Sequence, residues 1–305
     1  MARLPANMLR QDTMGTERSK SQGARWTVQV LILVSAALLP VRAHSQSVDE
    51  RIDQSYRDMY NLQFDEAFHQ AEAAKALAPD DPTPWMAQAC TVLFREFDRL
   101  HILTSEMFAS DEKFNARKAQ SWNPAARKQF DEALAGAEKL AQQRLDHDKN
   151  DVKALFAMTM IYGLRADDAA LIGKKNLTAL AYTKTGTGYA ERLLTRAPDY
   201  YDAYVATGLG KYLIGGKPAP VRWVLRMGGL KGDQEEGLRE LTLAAEKGRY
   251  LAPFARILLA FDDLRHKNKA EARKKLAWLS SQFPNNPLFL REMAKLDRPA
   301  AETGQ

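Results

Sequence analysis

The chain has 305 residues, 45% of them apolar, and a formal net charge of +6. This length and composition suffice for one or two globular domains with a sizeable core, and they exclude collagen-like and low-complexity chains. Residues 1–45 hold six basic residues against two acidic ones, so residues 46–305 carry a net charge of only +2. Because that part shows no dense basic face, we expect no nucleic-acid partner.

Residues 1–45 have the pattern of an export signal. Basic residues precede an apolar run of about 14 residues at 26–39, and the small residues Ala43 and Ser45 follow at the spacing of a cleavage site. A membrane-spanning helix needs roughly 20 apolar residues. We therefore predict a signal peptide, with an uncleaved inner-membrane anchor as the alternative, and an exported domain in the periplasm or cell envelope.

Beyond residue 45, apolar residues recur three and four positions apart and almost never alternate. This periodicity predicts amphipathic α-helices throughout. The single cysteine, Cys90, excludes an internal disulfide. The domain must therefore be held together by helix packing alone.

The first clear helix pair lies in residues 64–89, FDEAFHQAEAAKALAPDDPTPWMAQA. The small side chains of Ala67 and Ala74 allow two helices to approach closely, Pro79 ends a helix, and Trp85 fills the gap beside the next pair. This pattern resembles the tetratricopeptide repeat (TPR) family, whose units of about 34 residues are antiparallel helix pairs.

The same features return along the chain, and Leu155 and then Tyr204 take the place of Trp85. The segments concerned are 130–140, 149–163, 197–216 and 270–293. The resemblance implies an all-α fold: a TPR-like α-solenoid of antiparallel helix pairs over residues 46–296. We expect residues 297–305 to be a disordered tail.

The predicted helix ends fall at uneven intervals, near positions 79, 149, 198, 249 and 284. Extra residues at 167–181 and 216–231 lie where the two helices of a pair should meet, and 97–128 is either a degenerate repeat or a third insertion. Insertions at the same place in successive repeats lie along the same edge. We therefore predict inserted helices along one edge of the solenoid.

The glycine-rich run GGLKGD at 228–233 is not a phosphate-binding P-loop, because the required spacing is absent. Asp233 and Glu236 instead have the spacing of a capping box at a helix start. The segment GLKGDQEEGLREL (229–241) is also similar to a stretch of a eukaryotic TPR-like family at the mitochondrial outer membrane. That likeness implies a membrane-associated role.

The inserted segment 220–227, PVRWVLRM, is amphipathic. Arg222, Trp223 and Arg226 lie on neighbouring positions of its surface, as in a helix that contacts a membrane surface or a partner. The alternative, which we favour, is that Trp223, Val224 and Met227 pack back onto the solenoid.

The concave face made by the first helices is the candidate binding surface, because TPR proteins hold peptides there. The register of the repeats places five residues on or beside this face: Met86, Cys90, Val205, Leu209 and Tyr212. They imply apolar anchoring of a peptide. The equal alternative is that the inserted helices cover this face, so that it is simply core.

No catalytic pattern stands out, since the motifs G-x-S-x-G and H-E-x-x-H are absent. The run DHDKND at 146–151 lacks the glycine and distal glutamate of a calcium loop. We therefore expect no enzyme activity, metal or cofactor. The leading prediction is an exported, non-enzymatic TPR scaffold that binds a protein or peptide partner. The alternative is a peripheral membrane or lipid-associated module.

Overall fold

The computed structural model describes residues 46–104, 112, 116–227, 229 and 232–297. Within these residues the chain forms twelve α-helices and no strand, which confirms the all-α prediction. The helices are α1 Val48–Tyr60, α2 Phe64–Leu77, α3 Pro82–Arg99, α4 Pro124–His147, α5 Val152–Asp167, α6 Asn176–Arg196, α7 Tyr204–Gly215, α8 Ala219–Met227, α9 Gln234–Lys247, α10 Ala252–Arg265, α11 Lys269–Gln282 and α12 Pro287–Leu296. None of them is long and apolar enough to cross a membrane.

The helix boundaries follow from caps and prolines. Helices α2, α4, α6, α9 and α11 end within two residues of the predicted positions 79, 149, 198, 249 and 284. Asparagine or aspartate side chains accept backbone N–H groups at the starts of α3, α4, α5 and α12. Proline occupies the first turn of three of these helices, where its missing N–H costs nothing.

Consecutive helices pack against each other from α1 to α8 and from α9 to α12, α7 packs on α9, and α3 also contacts α1 and α5. Ala67 and Ala74 are fully buried where α2 meets its neighbours, as predicted. Trp85 lies directly on Gly136 of α4, and a Cβ built at that glycine would be 2.5 Å from the indole ring. The absence of a side chain at Gly136 therefore makes room for the tryptophan between the two helices.

The two insertions that the structure describes have different forms. Helix α5 continues through a π-helical turn, Asp168–Ile172, before α6 begins, so one insertion lengthens a helix pair. The other forms the separate helix α8 between α7 and α9. A Cβ built at Gly229 would lie 3.6 Å from Nζ of Lys184 on α6, so the two insertions are neighbours. Residues 105–111 and 113–115 of the segment 97–128 lie outside the described residues.

The first helix contacts the last part of the chain. The Tyr60 hydroxyl donates to the carbonyl of Tyr250 over 3.0 Å, and the Asn286 amide donates to the carbonyl of Tyr60 over 2.8 Å. The rings of Tyr56 and Tyr250 stack with centroids 4.9 Å apart. Because the segments before α10 and α12 meet α1, the row of helices closes on itself and its inner face encloses a space.

Residues 1–45 and 298–305 lie outside the described part, so the predicted signal peptide and most of the predicted tail are not among the residues described. Asp297, the first residue of that tail, forms an ion pair with Arg273 of α11, with Nε and Oδ1 3.0 Å apart.

Candidate ligand cavity

The enclosed space is a cavity of about 750 Å³ whose wall is predominantly apolar. Nearly every helix supplies part of that wall. Representative side chains are Phe97 of α3, Met160 of α5, Leu180 of α6, Leu209 of α7, Leu258 of α10 and Phe289 of α12. Cavities of this size and character are typical of sites for small apolar ligands.

The cavity opens beside residues 169–190 and 203–227, which we call the inserted edge because they include most of the described residues of the predicted insertions 167–181 and 216–231. Leu177, Leu213 and Val221 line the cavity and are also exposed on the protein surface, so they mark its mouth. Leu177 is 85% exposed. These three residues belong to α6, α7 and α8, and of these helices α6 and α8 carry inserted residues.

Four of the five residues predicted on the concave face line this cavity: Cys90, Val205, Leu209 and Tyr212. The fifth prediction is wrong, because Met86 is fully buried and does not reach the cavity. Helix α3 is covered by α1, α2, α4 and α5, and this packing encloses Met86. The face is therefore neither an open groove nor solid core, but the wall of a cavity.

The polar atoms of these wall residues are satisfied within the protein. The Tyr212 hydroxyl donates to Asp262 over 2.7 Å, and its burial beside that acid raises its pKa. Burial raises the pKa of the Cys90 thiol to about 12, and its sulfur lies 3.6 Å from the Tyr56 hydroxyl. At neutral pH the thiol is protonated, so Cys90 acts as a small apolar part of the wall.

Helix α8 exposes the three residues predicted at the inserted edge, Arg222, Trp223 and Arg226. The expectation that Trp223 and Met227 pack onto the neighbouring helices is wrong, since they are 61% and 67% exposed. Val221 and Leu225 line the cavity instead. The side chain of Val224 lies outside the described residues.

The inserted edge is rich in basic residues. Its two segments contain seven basic residues and no acidic one, although Asp168, Glu191 and Asp202 lie directly beside them in the sequence. The basic residues are Lys174, Lys175, Lys184, Lys211, Lys217, Arg222 and Arg226. Part of this charge is neutralised locally, because Lys211 forms an ion pair with Glu240. The mouth of the cavity is therefore bordered by exposed apolar side chains among cations.

The glycines around this edge serve helix packing. A Cβ built at Gly237 would lie 2.6 Å from the carbonyl oxygen of Gly208, and one at Gly215 would lie 2.4 Å from the backbone nitrogen of Gln234. Asp233 caps α9 by accepting the N–H of Glu236 over 3.0 Å, as predicted. The reciprocal half of the capping box is not formed, because the Asp233 N–H donates to the carbonyl of Lys211.

Sequence reasoning missed most of the wall, including the acid Asp167, the last residue of α5. Burial and the neighbouring charge of Asp168 raise the pKa of Asp167 to about 7. The residue lines the cavity and is partly exposed. The sequence carried no distinct signal for it, because adjacent aspartates are also common in turns.

Comparisons with protein-family models, with curated proteins and with solved structures find no match to this chain. Among the described residues, no group of three or more His, Cys, Asp or Glu side chains is arranged to hold a metal ion. The cavity, its mouth and the inserted edge are therefore the features that bear on function.

Proposed function

We propose that this chain is a non-enzymatic binding protein of TPR-like helix pairs that encloses the apolar chain of a lipid-like ligand. The observation that carries this proposal is the cavity of about 750 Å³ with its apolar wall. At roughly 30 Å³ for each molecule in the liquid, such a space has the volume of about 25 waters. The waters against an apolar wall lose hydrogen bonds on that side, which favours an apolar occupant.

A second candidate is the protein scaffold predicted from the sequence. In this alternative the cavity receives an apolar segment of a partner protein, and Cys90, Val205, Leu209 and Tyr212 provide the contacts. Mass spectrometry of material extracted from the protein purified from its own host separates the two candidates. Lipid supports the first and peptide supports the second. A location in the periplasm or cell envelope stays a prediction that rests on residues 1–45.

Partly filling the cavity should weaken ligand binding without harming the fold. Gly163 of α5 lines the cavity, and a Cβ built there meets no atom within 4 Å. We expect Gly163→Leu to weaken binding of the apolar dye phenylnaphthylamine by about tenfold or more, since its side chain competes for the same space. Fluorescence titration of the purified 305-residue chain measures this effect.

Gly188 of α6 provides the matched control. A Cβ built there also meets nothing within 4 Å, but this residue does not line the cavity. Gly188→Leu should bind the dye like the wild type. If the two variants bind equally well, the dye does not occupy the cavity and the proposal fails.

The inserted edge should bring the mouth to an anionic membrane surface. Trp223 can enter the interface, while Arg226 contacts anionic head groups, each basic residue contributing about 1 kcal/mol near such a surface. We expect Trp223→Ala with Arg226→Ala to weaken binding to both kinds of vesicle and to reduce the preference for anionic over neutral vesicles in flotation by about fivefold. Arg222 is left in place because it donates to the carbonyl of Gly215 over 3.1 Å.

Trp278 and Lys274 on α11 provide a control pair away from the cavity wall, with Trp278 36% exposed. Their double alanine variant should keep the wild-type preference for anionic vesicles. Residues 1–45 are present in the wild type and in both variants, so any contribution they make to vesicle binding is the same in all three. Equal preferences in the two double variants would contradict a membrane-facing mouth.

A further inference from the structure

We propose that Asp167 is the polar anchor of the cavity and selects a single-chain amphiphile whose head group donates hydrogen bonds, an amine or a hydroxyl. This inference rests on the proposed function, because it assumes that the cavity holds a ligand. It adds the chemical class of the head group and the residue that recognises it.

Asp167 differs from the other acids of the cavity wall. Asp202 accepts the backbone N–H groups of Tyr250 and Leu251, and Asp262 accepts the hydroxyl of Tyr212. Glu292 forms an ion pair with Lys295. Within the described part of the chain, the carboxyl of Asp167 forms no hydrogen bond and no ion pair. Its carboxyl is therefore available to a molecule inside the cavity.

The neighbouring groups cannot neutralise this carboxyl. Asp168 accepts hydrogen bonds from Nε1 of Trp122 and Nη1 of Arg127, both over 2.8 Å. These nearby donors are therefore already paired. The charge of Asp168 then acts on Asp167 as a like charge, and Cys90 lies near enough for Asp167 to raise the pKa of its thiol. The Asp167 carboxyl is partly exposed and lines the cavity, so water can reach it there. A ligand whose head group donates a hydrogen bond can take the place of that water.

The position of Asp167 suits an amphiphile. It lies where α5 passes into the π-helical turn Asp168–Ile172, beside the inserted edge, and the rest of the wall is mainly apolar. An alkyl chain can occupy the apolar wall while its head group reaches the carboxyl. A carboxylate or phosphate head group would meet a second negative charge in a poorly solvated site, which is unfavourable.

Three ligands of equal chain length test this selection: dodecylamine, dodecanol and dodecanoate, each displacing phenylnaphthylamine at about pH 8, where Asp167 is largely ionised. We expect the wild type to bind the amine and the alcohol more tightly than the acid, by about ten- to a hundredfold for the amine. Asp167→Asn keeps the shape of the side chain and removes its charge. In this variant the three ligands should bind within about threefold of one another.

The outcomes separate this inference from the proposed function. If the wild type binds all three ligands with the same affinity, the cavity holds an alkyl chain but Asp167 does not select its head group. If the preference persists unchanged in Asp167→Asn, another group selects it. Failure of all three ligands and of the dye to bind overturns the proposed function itself.

Discussion

The substitution Asp167→Asn should stabilise the protein at neutral pH. Burial beside Asp168 raises the pKa of Asp167 to about 7, whereas an unfolded aspartate titrates near about 3.9. Between these values the folded chain binds more protons than the unfolded chain. The free energy of unfolding therefore falls as the pH rises from about 4 to about 7, and this group adds no further pH dependence above that range. This fall in the free energy of unfolding amounts to at most about 4 kcal/mol. A neutral Asn side chain should restore it.

Urea unfolding at about pH 8, 6.5 and 5 measures the free energy of unfolding of the variant and of the wild type. The difference between the two values should shrink as the pH falls. Asp168→Asn is the matched control. It should lower stability, because Asp168 accepts hydrogen bonds from Trp122 and Arg127. A stability gain that does not change with pH would show that the charge of Asp167 is not its source. An acid that costs stability and has no internal partner fits a binding role.

The second prediction is a large loss of stability when the contact between α7 and α9 is disturbed. We expect Gly237→Ala to destabilise the protein by about 2 kcal/mol, the net of overpacking and of the better helix propensity of alanine. The added methyl group would lie 2.6 Å from the carbonyl oxygen of Gly208 and 2.6 Å from the backbone nitrogen of Tyr212. Both are backbone atoms, so they cannot give way as a flexible side chain would. Urea unfolding followed by circular dichroism checks the result.

Gly188→Ala is the control for helix propensity, because its Cβ meets nothing within 4 Å. It should raise stability by up to about 1 kcal/mol. A wild-type stability for Gly237→Ala would mean that α7 and α9 separate at little cost. Because Tyr212 and Leu209 of α7 line the cavity, such freedom would also make the cavity wall adjustable.

Local signals made the helices predictable. Prolines and Asp or Asn caps fix where they begin and end, and the alanines of α2 mark a buried face. Side-chain directions were harder to predict. Met86 and Trp223 were assigned to the wrong environments because the covering of a helix face depends on elements distant in sequence. For Met86 these include α1 and α5, which both pack on α3.

The cavity could not be derived from repeat patterns. It exists because Tyr60 meets Tyr250 and Asn286 across most of the chain, through polar contacts that carry no periodic signature. Asp167 was overlooked because paired aspartates beside an insertion are ordinary turn formers. Its neighbour Asp168 is paired, and only the enclosed geometry distinguishes the two residues.

The contacts between α1 and the segments near residues 250 and 286 affect how cooperatively the domain unfolds. In an open row of repeats each unit depends only on its neighbours, so terminal units can fray and unfolding can proceed stepwise. Here α1 is held by residues near 250 and 286 as well as by α2 and α3. Opening either terminus removes contacts from the other. The domain is thus expected to unfold as one unit, and long-range contacts of this kind slow its folding relative to an open array.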